Sequence, residues 1–209
     1  MSAQMHPDEW LHVNHVPHAG QPALFLDRDG TLIENVPYLA DPEQIRIIEG
    51  TEEALRQFRL AGFAIIIVTN QSGIARGLCT PEQYRGVENR LQQLLGTSAA
   101  DLVYASPYHP QATGPFGIPH SSRKPEPGMF LDARHRFAVD LARSVMVGDS
   151  LSDMRAAAAA GIGRLVHVGT GHGMTERAAV CAFASDNALA IELMPTLAQI
   201  QPMVKTDPC

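Results

Sequence analysis

Short, almost wholly apolar runs alternate along the chain with longer segments whose apolar residues recur at helical spacing. Ala23-Leu24-Phe25-Leu26 is the first such run and stops at Asp27; Phe63-Ala64-Ile65-Ile66-Ile67-Val68 is the second and leads into Thr69-Asn70. Runs of this length, apolar at every position, predict strands buried on both faces. Asp101 to Ala105, Ser144 to Val147 and Arg164 to Val168 continue the series. Helices are predicted between them. One starts at Thr51 and ends near Gly62, with Glu52 and Glu53 in the first turn, where the helix dipole favours them. A second runs from Pro81 to Gly96, its start marked by Thr80 as cap, Pro81 at the first position and Gln83 three residues after the cap. A third follows Pro127, and an alanine-rich helix from Ser152 to Ala160 is stopped by Gly161. A helix from about Thr175, a short strand near Ala182 and a final helix are expected to complete the chain.

This alternation predicts an α/β protein of three layers, Rossmann-like, with a mostly parallel central sheet. Its ligand crevice is expected beyond the carboxyl ends of the strands, at the switch point of the strand order. Residues 1–21 carry Pro7, Pro17 and four histidines without an apolar period, so an N-terminal extension is expected there, with one domain over 22–209. His12, His15 and His18 recur every third residue. A solvated polar segment is preferred there to a metal clip. The stretch from Ser106 to Ser122, rich in Pro, Gly and polar residues, is expected to be a long loop of the kind that is functional or disordered.

Four polar clusters follow predicted strands: Asp27-Arg28-Asp29-Gly30-Thr31, Thr69-Asn70, Arg123-Lys124-Pro125 (through the long loop) and Gly148-Asp149 with Asp153 beyond. Each alone has a bland reading as a turn, a cap or a solvated charge pair. Together, opening on one edge of a parallel sheet, they fit phosphoryl transfer. That reaction needs an in-line nucleophile, positive charge for the transferring oxygens and a proton for the departing one. Asp27 suits the nucleophile, since an ionised carboxylate forms an acyl phosphate without an activating base. Asp29, about 7 Å further along an extended chain and on the same side, suits acid and then base. Repulsion between carboxylate and phosphate calls for a hard cation. Magnesium is expected, held by Asp27, a backbone oxygen at Asp29, and Asp149. Lys124 offers a point charge to the phosphate and Thr69 a neutral hydrogen bond. Asp153 is expected to orient Lys124 or a metal-bound water.

Composition narrows the picture only by exclusion. A formal net charge of −6, with 16 scattered Lys and Arg, gives no footprint for nucleic acid. No apolar stretch approaches the roughly 18 residues of a membrane span, and no signal peptide is read at the start. Three separated cysteines suggest neither a disulfide framework nor a cysteine-rich zinc site, so a cytoplasmic setting is expected. Gly169, Gly171 and Gly173 read as a simple turn, and no P-loop or serine-hydrolase element occurs.

The four clusters, with Val68-Thr69-Asn70-Gln71-Ser72-Gly73 and Val147-Gly148-Asp149 in full, resemble the haloacid dehalogenase superfamily over roughly Ala23 to Thr170. Asn70 through Gly77, Tyr108-His109-Pro110-Gln111 and Arg123-Lys124-Pro125 are similar to its subgroup of D-glycero-D-manno-heptose 1,7-bisphosphate phosphatases and histidinol phosphatases. The resemblance implies the same roles for Asp27, Asp29, Thr69, Lys124 and Asp149. It also implies substrate contacts at Asn35, Val36, Pro37 and Tyr38, at Thr69, Asn70, Gln71 and Ser72, and at Arg123. Ser150 stands where some relatives have lysine.

Many relatives hold a structural zinc in the loop before the Arg-Lys pair, through three cysteines and a histidine. The positions here are Ser106, Tyr108, His120 and Ser122, a set unsuited to tetrahedral zinc, so zinc is not expected. The loop is then expected to be held by its prolines and by packing, or to order when substrate binds. The segments 32–50 and 106–122 are too short for a cap domain. The expected substrate is a small phosphorylated metabolite, with a sugar bisphosphate first. Histidinol phosphate is the rival ester, and a phospho-acceptor signalling domain the rival class, which Asp29 argues against. A monomer or small homo-oligomer is expected.

Overall fold

Residues 10–202 are described by the computed structural model of the chain. Seven strands form one sheet: β1 (Leu11–Val13), β2 (Ala23–Leu26), β3 (Ala64–Asn70), β4 (Leu102–Ser106), β5 (Val145–Gly148), β6 (Arg164–Val168) and β7 (Ile191–Met194). Their order across the sheet is β1-β4-β3-β2-β5-β6-β7. All neighbours are parallel except β1 against β4. The chain therefore winds outward from β2 in one direction through β3 and β4, then returns past β2 to lay down β5. The gap between the ends of β2 and β5 is the switch point at which doubly wound sheets bind ligands.

Alternation along the strands divides the core into two. Leu24, Leu26, Ile65, Ile67 and Val147 face one layer, made by α1 (Thr51–Leu60) and α3 (Pro81–Leu95) through Leu55, Phe58, Val87 and Leu91. Phe25, Ile66, Val68 and Met146 face the other, made by α4 (Gly128–Phe137), α5 (Leu151–Ala160) and α6 (Gly173–Asp186) through Phe130, Met154 and Val180. A four-residue turn of helix, Ser72–Ala75, is the α2 element between β3 and α3. Phe58 is fully buried, which stabilises the first layer by roughly 2–3 kcal/mol. The start of α3 has the reciprocal bonds the sequence predicts, Gln83 N–H to Thr80 and Thr80 N–H to Gln83. Gly161 closes α5 in the left-handed conformation. Between Leu32 and Gly50 the chain forms only a short 3-10 turn, Pro42–Gln44, and an isolated bridge from Ile33 to Ile47, with no cap domain.

Two expectations at the C-terminal end are corrected. The apolar run around Ala182 lies inside α6, not in a strand; Val180 is buried in the core and Phe183, three residues on, packs beside it and under Arg155, at helical spacing. The strand is β7, and among the described residues it is followed by a single 3-10 turn, Leu197–Gln199, rather than a helix. At the other end, part of the segment read as an extension joins the sheet as β1. Leu11, His12 and Val13 lie opposite Tyr104, Val103 and Leu102. His12 bonds Asn14 and His15 approaches Asp101 at 3.8 Å, and the histidines form no metal-ligand group among the described residues.

The long loop is packed in place. Trp10 lies 5.7 Å from Phe116 and 5.8 Å from Tyr84, and Phe116 in turn meets Tyr108 at 5.7 Å. At the four positions weighed for zinc in the sequence, Tyr108 stacks on His120 at 3.8 Å. His120 Nδ1 meets Ser122 Oγ at 2.7 Å, and Ser122 Oγ reaches Ser106 Oγ at 3.3 Å. Aromatic stacking and hydroxyl bonds thus join both ends of the loop. Trp10→Ala is expected to cost about 3 kcal/mol in urea unfolding and to speed proteolysis between His109 and Phe116. Unchanged stability would show that Trp10 does not anchor the loop.

Candidate active site

The sheet order brings the polar clusters together. Asp27 follows β2, Thr69 sits near the end of β3, and Asp149 follows β5, the strand on the other side of β2. The Asp27 N–H donates to Val147 O at 3.0 Å, which extends the β2–β5 pairing to the nucleophile candidate itself. Lys124 arrives from the far side of the long loop and is held by Asn70. The Lys124 N–H donates to Asn70 Oδ1 at 3.0 Å, and Asn70 Nδ2 donates to Lys124 O at 2.9 Å. Both ends of the Asn70 amide are therefore committed to positioning Lys124.

The Lys124 ammonium is buried among three acceptors: Asp153 Oδ1 at 2.6 Å, Asp27 Oδ1 at 2.7 Å and Val68 O at 2.8 Å. Burial works against its charge, but the carboxylates of Asp153 and Asp27 outweigh it, and its pKa is raised. Asp153 is itself fully buried, its other oxygen accepting from the N–H and Oγ of Ser150 at the start of α5. Of the two roles offered for Asp153, the geometry supports orientation of Lys124.

Asp27, Asp149 and Asp153 each present an oxygen within 4.8 Å of the others. Three carboxylates gather here against one ammonium, so acidic groups outnumber the cation in a buried space. Burial, only partly offset by Lys124, raises Asp27 to about 8. Burial and the neighbouring Asp153 raise Asp149 to about 7, the N–H of His172 pulling the other way. Such a set is completed by a hard divalent cation, for which carboxylate oxygens are the preferred donors. The backbone is cut back to make room for these carboxylates. A Cβ on Gly30 or Gly171 would lie 2.3 or 2.1 Å from Asp149 Oδ2, and one on Gly148 would lie 2.4 Å from Asp153 Oδ2. The residues present therefore fit a metal.

The carboxylate of Asp29 is not in that group. It accepts from Arg28 and, at 2.8 Å, from Gln71 Nε2, which also reaches Thr69 Oγ1 at 2.9 Å. This leaves the backbone oxygen as the way in which Asp29 would serve a cation.

Above these groups opens a cleft of about 390 Å³, lined on one side by Asn35, Val36, Pro37 and Tyr38 and on the other by Thr69 through Gly73. Arg123 is not among its lining residues. It is half-buried beside the cleft, donating to Tyr108 O at 3.0 Å, and its pKa is lowered by burial and by nearby Arg76. Arg76 bonds His109 at 2.8 Å and approaches the Tyr38 hydroxyl at 3.5 Å, so two guanidinium groups stand beside the wall that Tyr38 lines. His172 is a lining residue that sequence reading missed. Its N–H donates to Asp149 Oδ2 at 2.7 Å and its ring meets Asn35 at 2.7 Å. The glycines around it followed β6 at the same sheet edge as the other clusters, a signal that reading them as a plain turn set aside.

A doubly wound sheet with a lysine and clustered aspartates at its switch point defines an α/β enzyme with an acidic, cation-ready active site. Comparison with known proteins agrees, the haloacid dehalogenase-like hydrolase family matching residues 36–161. The chain belongs to that family. It is 43% identical over 172 residues to the D-glycero-beta-D-manno-heptose-1,7-bisphosphate 7-phosphatase of Escherichia coli, covering 81% of this chain and 90% of that one. Among solved structures, a HAD-like phosphatase from Mesorhizobium loti superposes with a TM-score of 0.72 at 40% identity, over 76% of this chain and 78% of that one. The D,D-heptose 1,7-bisphosphate phosphatase from B. bronchiseptica, complexed with magnesium and phosphate, superposes with a TM-score of 0.71 at 30% identity, over 85% and 94%.

Gly30→Ala and Gly171→Ala are each expected to displace the Asp149 carboxylate and weaken divalent-cation binding by at least about tenfold in calorimetry, with the fold retained by circular dichroism. Wild-type affinity in both variants would mean that Asp149 does not hold the cation.

Proposed function

We propose that the protein is a magnesium-dependent phosphatase that removes the 7-phosphate of D-glycero-D-manno-heptose 1,7-bisphosphate through an aspartyl-phosphate on Asp27. The observation that carries this reading is the buried Lys124 ammonium, 2.7 Å from Asp27 Oδ1, facing a carboxylate cluster at the foot of an open cleft. The identity to heptose bisphosphate phosphatases over most of the chain supports the substrate.

In the first step a carboxylate oxygen of Asp27 attacks phosphorus and the bond to the ester oxygen breaks. Asp29 gives its proton to that departing oxygen, and the alcohol leaves. Lys124 faces the equatorial oxygens, and Thr69 donates a neutral hydrogen bond to them. In the second step water attacks the same phosphorus, Asp29 takes its proton, and the bond to Asp27 breaks to release inorganic phosphate. Asp27, Asp149 and the backbone oxygen of Asp29 would hold magnesium, which would supply charge neutralisation between carboxylate and phosphate. Asp153 keeps Lys124 aimed at Asp27, its 2.6 Å ion pair lying opposite the nucleophile.

Selectivity falls to the cleft walls. Asn35, Gln71, Ser72, Ser150 and His172 offer hydrogen bonds to a hydroxyl-rich ester. Arg123 and Arg76, beside Tyr38, suit a second phosphate, which a planar guanidinium grips through two parallel bonds. Ser150 in place of a lysine leaves that task to these two.

A screen of phosphorylated metabolites with magnesium is expected to favour the heptose bisphosphate over sugar monophosphates and histidinol phosphate. Asp27→Asn is expected to abolish turnover. Equal rates on mono- and bisphosphates would overturn the substrate, and an active Asp27→Asn the mechanism. A phosphorylated Asp27 surviving for hours would instead favour a signalling role.

A second expectation concerns pH. Asp27 and Asp149 sit above their ordinary value of 3.8 in the folded chain, at about 8 and about 7. Folded protein thus keeps protons that the unfolded chain releases near pH 4, and the stability this linkage contributes is full below about pH 4, falls as pH rises, and is gone above 7 to 8. Magnesium competes with those protons. The rise in Tm on adding magnesium is expected to be larger at pH 8 than at pH 6; an equal rise at both would refute the linkage.

A further inference from the structure

Arg28 stands between the two aspartates of the first cluster, and the chemistry above gives it no part. Only 1% of it is exposed. Its guanidinium donates to both oxygens of Asp29: Nη2 to Oδ1 at 3.1 Å and to Oδ2 at 3.0 Å, with Nε to Oδ2 at 3.2 Å. On the far side Nη1 lies 3.7 Å from Glu88 Oε2, on α3, and the ring of Tyr84 lies 5.8 Å from the guanidinium carbon. Glu88 is buried too, and Gln92 donates to its other oxygen at 2.6 Å.

A fully buried guanidinium is costly for a fold to keep, and an apolar residue of similar volume often serves stability as well or better. If its task were to tie β2 to α3, the well-formed contact would be the one with Glu88. The bonds go instead to Asp29, while Glu88 stays at ion-pair distance with one oxygen lacking a hydrogen-bond partner. A planar fork on a carboxylate fixes the carboxylate plane as well as its position, which an ammonium or a single donor does not. Gln71 adds a further bond to Oδ2 from the cleft side.

We infer that Arg28, backed by Glu88 and Tyr84, is a positioning residue that fixes the plane of the Asp29 carboxylate for its two proton transfers. The inference rests on the reading of Asp29 as acid and base. It assigns to α3, none of whose residues lines the cleft, a part in catalysis through Glu88.

The test compares Arg28→Lys, Glu88→Gln, Asp29→Asn and the double variant Arg28→Lys/Asp29→Asn on an alkyl phosphate and on p-nitrophenyl phosphate, whose leaving group needs no proton. Arg28→Lys is expected to lower kcat on the alkyl ester by about 10²-fold, with KM within threefold. On p-nitrophenyl phosphate it is expected to retain a rapid burst of nitrophenolate before slow turnover. The double variant is expected to be no slower than Asp29→Asn, because residues acting as one unit do not lose activity additively. Glu88→Gln, which keeps the shape of the site, is expected to show the same pattern at smaller amplitude. Parallel losses on both esters with no burst, or a double variant slower than Asp29→Asn, would reduce Arg28 to a structural role. Should Arg28→Lys fail to fold, the Glu88→Gln pattern decides in its place. An unimpaired Asp29→Asn would instead sink the reading of Asp29 itself.

Discussion

One buried ammonium at the foot of the cleft governs this molecule. Lys124 is surrounded by Asp27, Asp153 and the carbonyl of Val68, and its positive charge offsets in part the burial that works against an ionised Asp27. Its position is set by segments far apart in sequence. Asn70 at the end of β3 holds its backbone, α5 supplies Asp153, and β2 supplies Asp27. The sheet order makes those three elements neighbours, so the fold and the charge constellation impose each other.

Much of this was legible from residues alone. Apolar runs that end in Asp27, Thr69 and Asp149 identify strands and say where their polar ends open, because burial on both faces leaves no other place for a carboxylate. The capping residues of α3 and the glycine after α5 marked helix ends locally. Pattern failed where the same apolar residues serve either period: the run near Ala182 reads as a short strand, and the burial of Val180 in the core with Phe183 packed beside it makes it a helix face. Leu11 to Val13 was illegible as a strand because an edge strand needs few apolar residues. In the site, the ion pair of Arg28 with Glu88 spans sixty residues and leaves no periodic trace. His172 follows Gly171, which matters for the room it leaves Asp149, and spacing does not reveal that.

The loop from Ser106 to Ser122 is held by contacts between its own side chains. Tyr108 stacks on His120 and Ser122 reaches Ser106 through hydroxyls, with Phe116 packed against Trp10. Arg123 hangs from the same loop through Tyr108 O, so the stacking that shapes the loop also sets where that guanidinium stands beside the cleft.

The three residues of β1 have a consequence beyond the active site. Without them β4 would be the sheet's border, its outward-facing peptide groups unpaired beside wholly buried side chains, and a template for lateral growth into fibrils. β1 is short, antiparallel and exposed at His12 and Val13, so it closes that row while offering little for another copy to extend. The covering of that border thus falls to a segment that lines no part of the cleft.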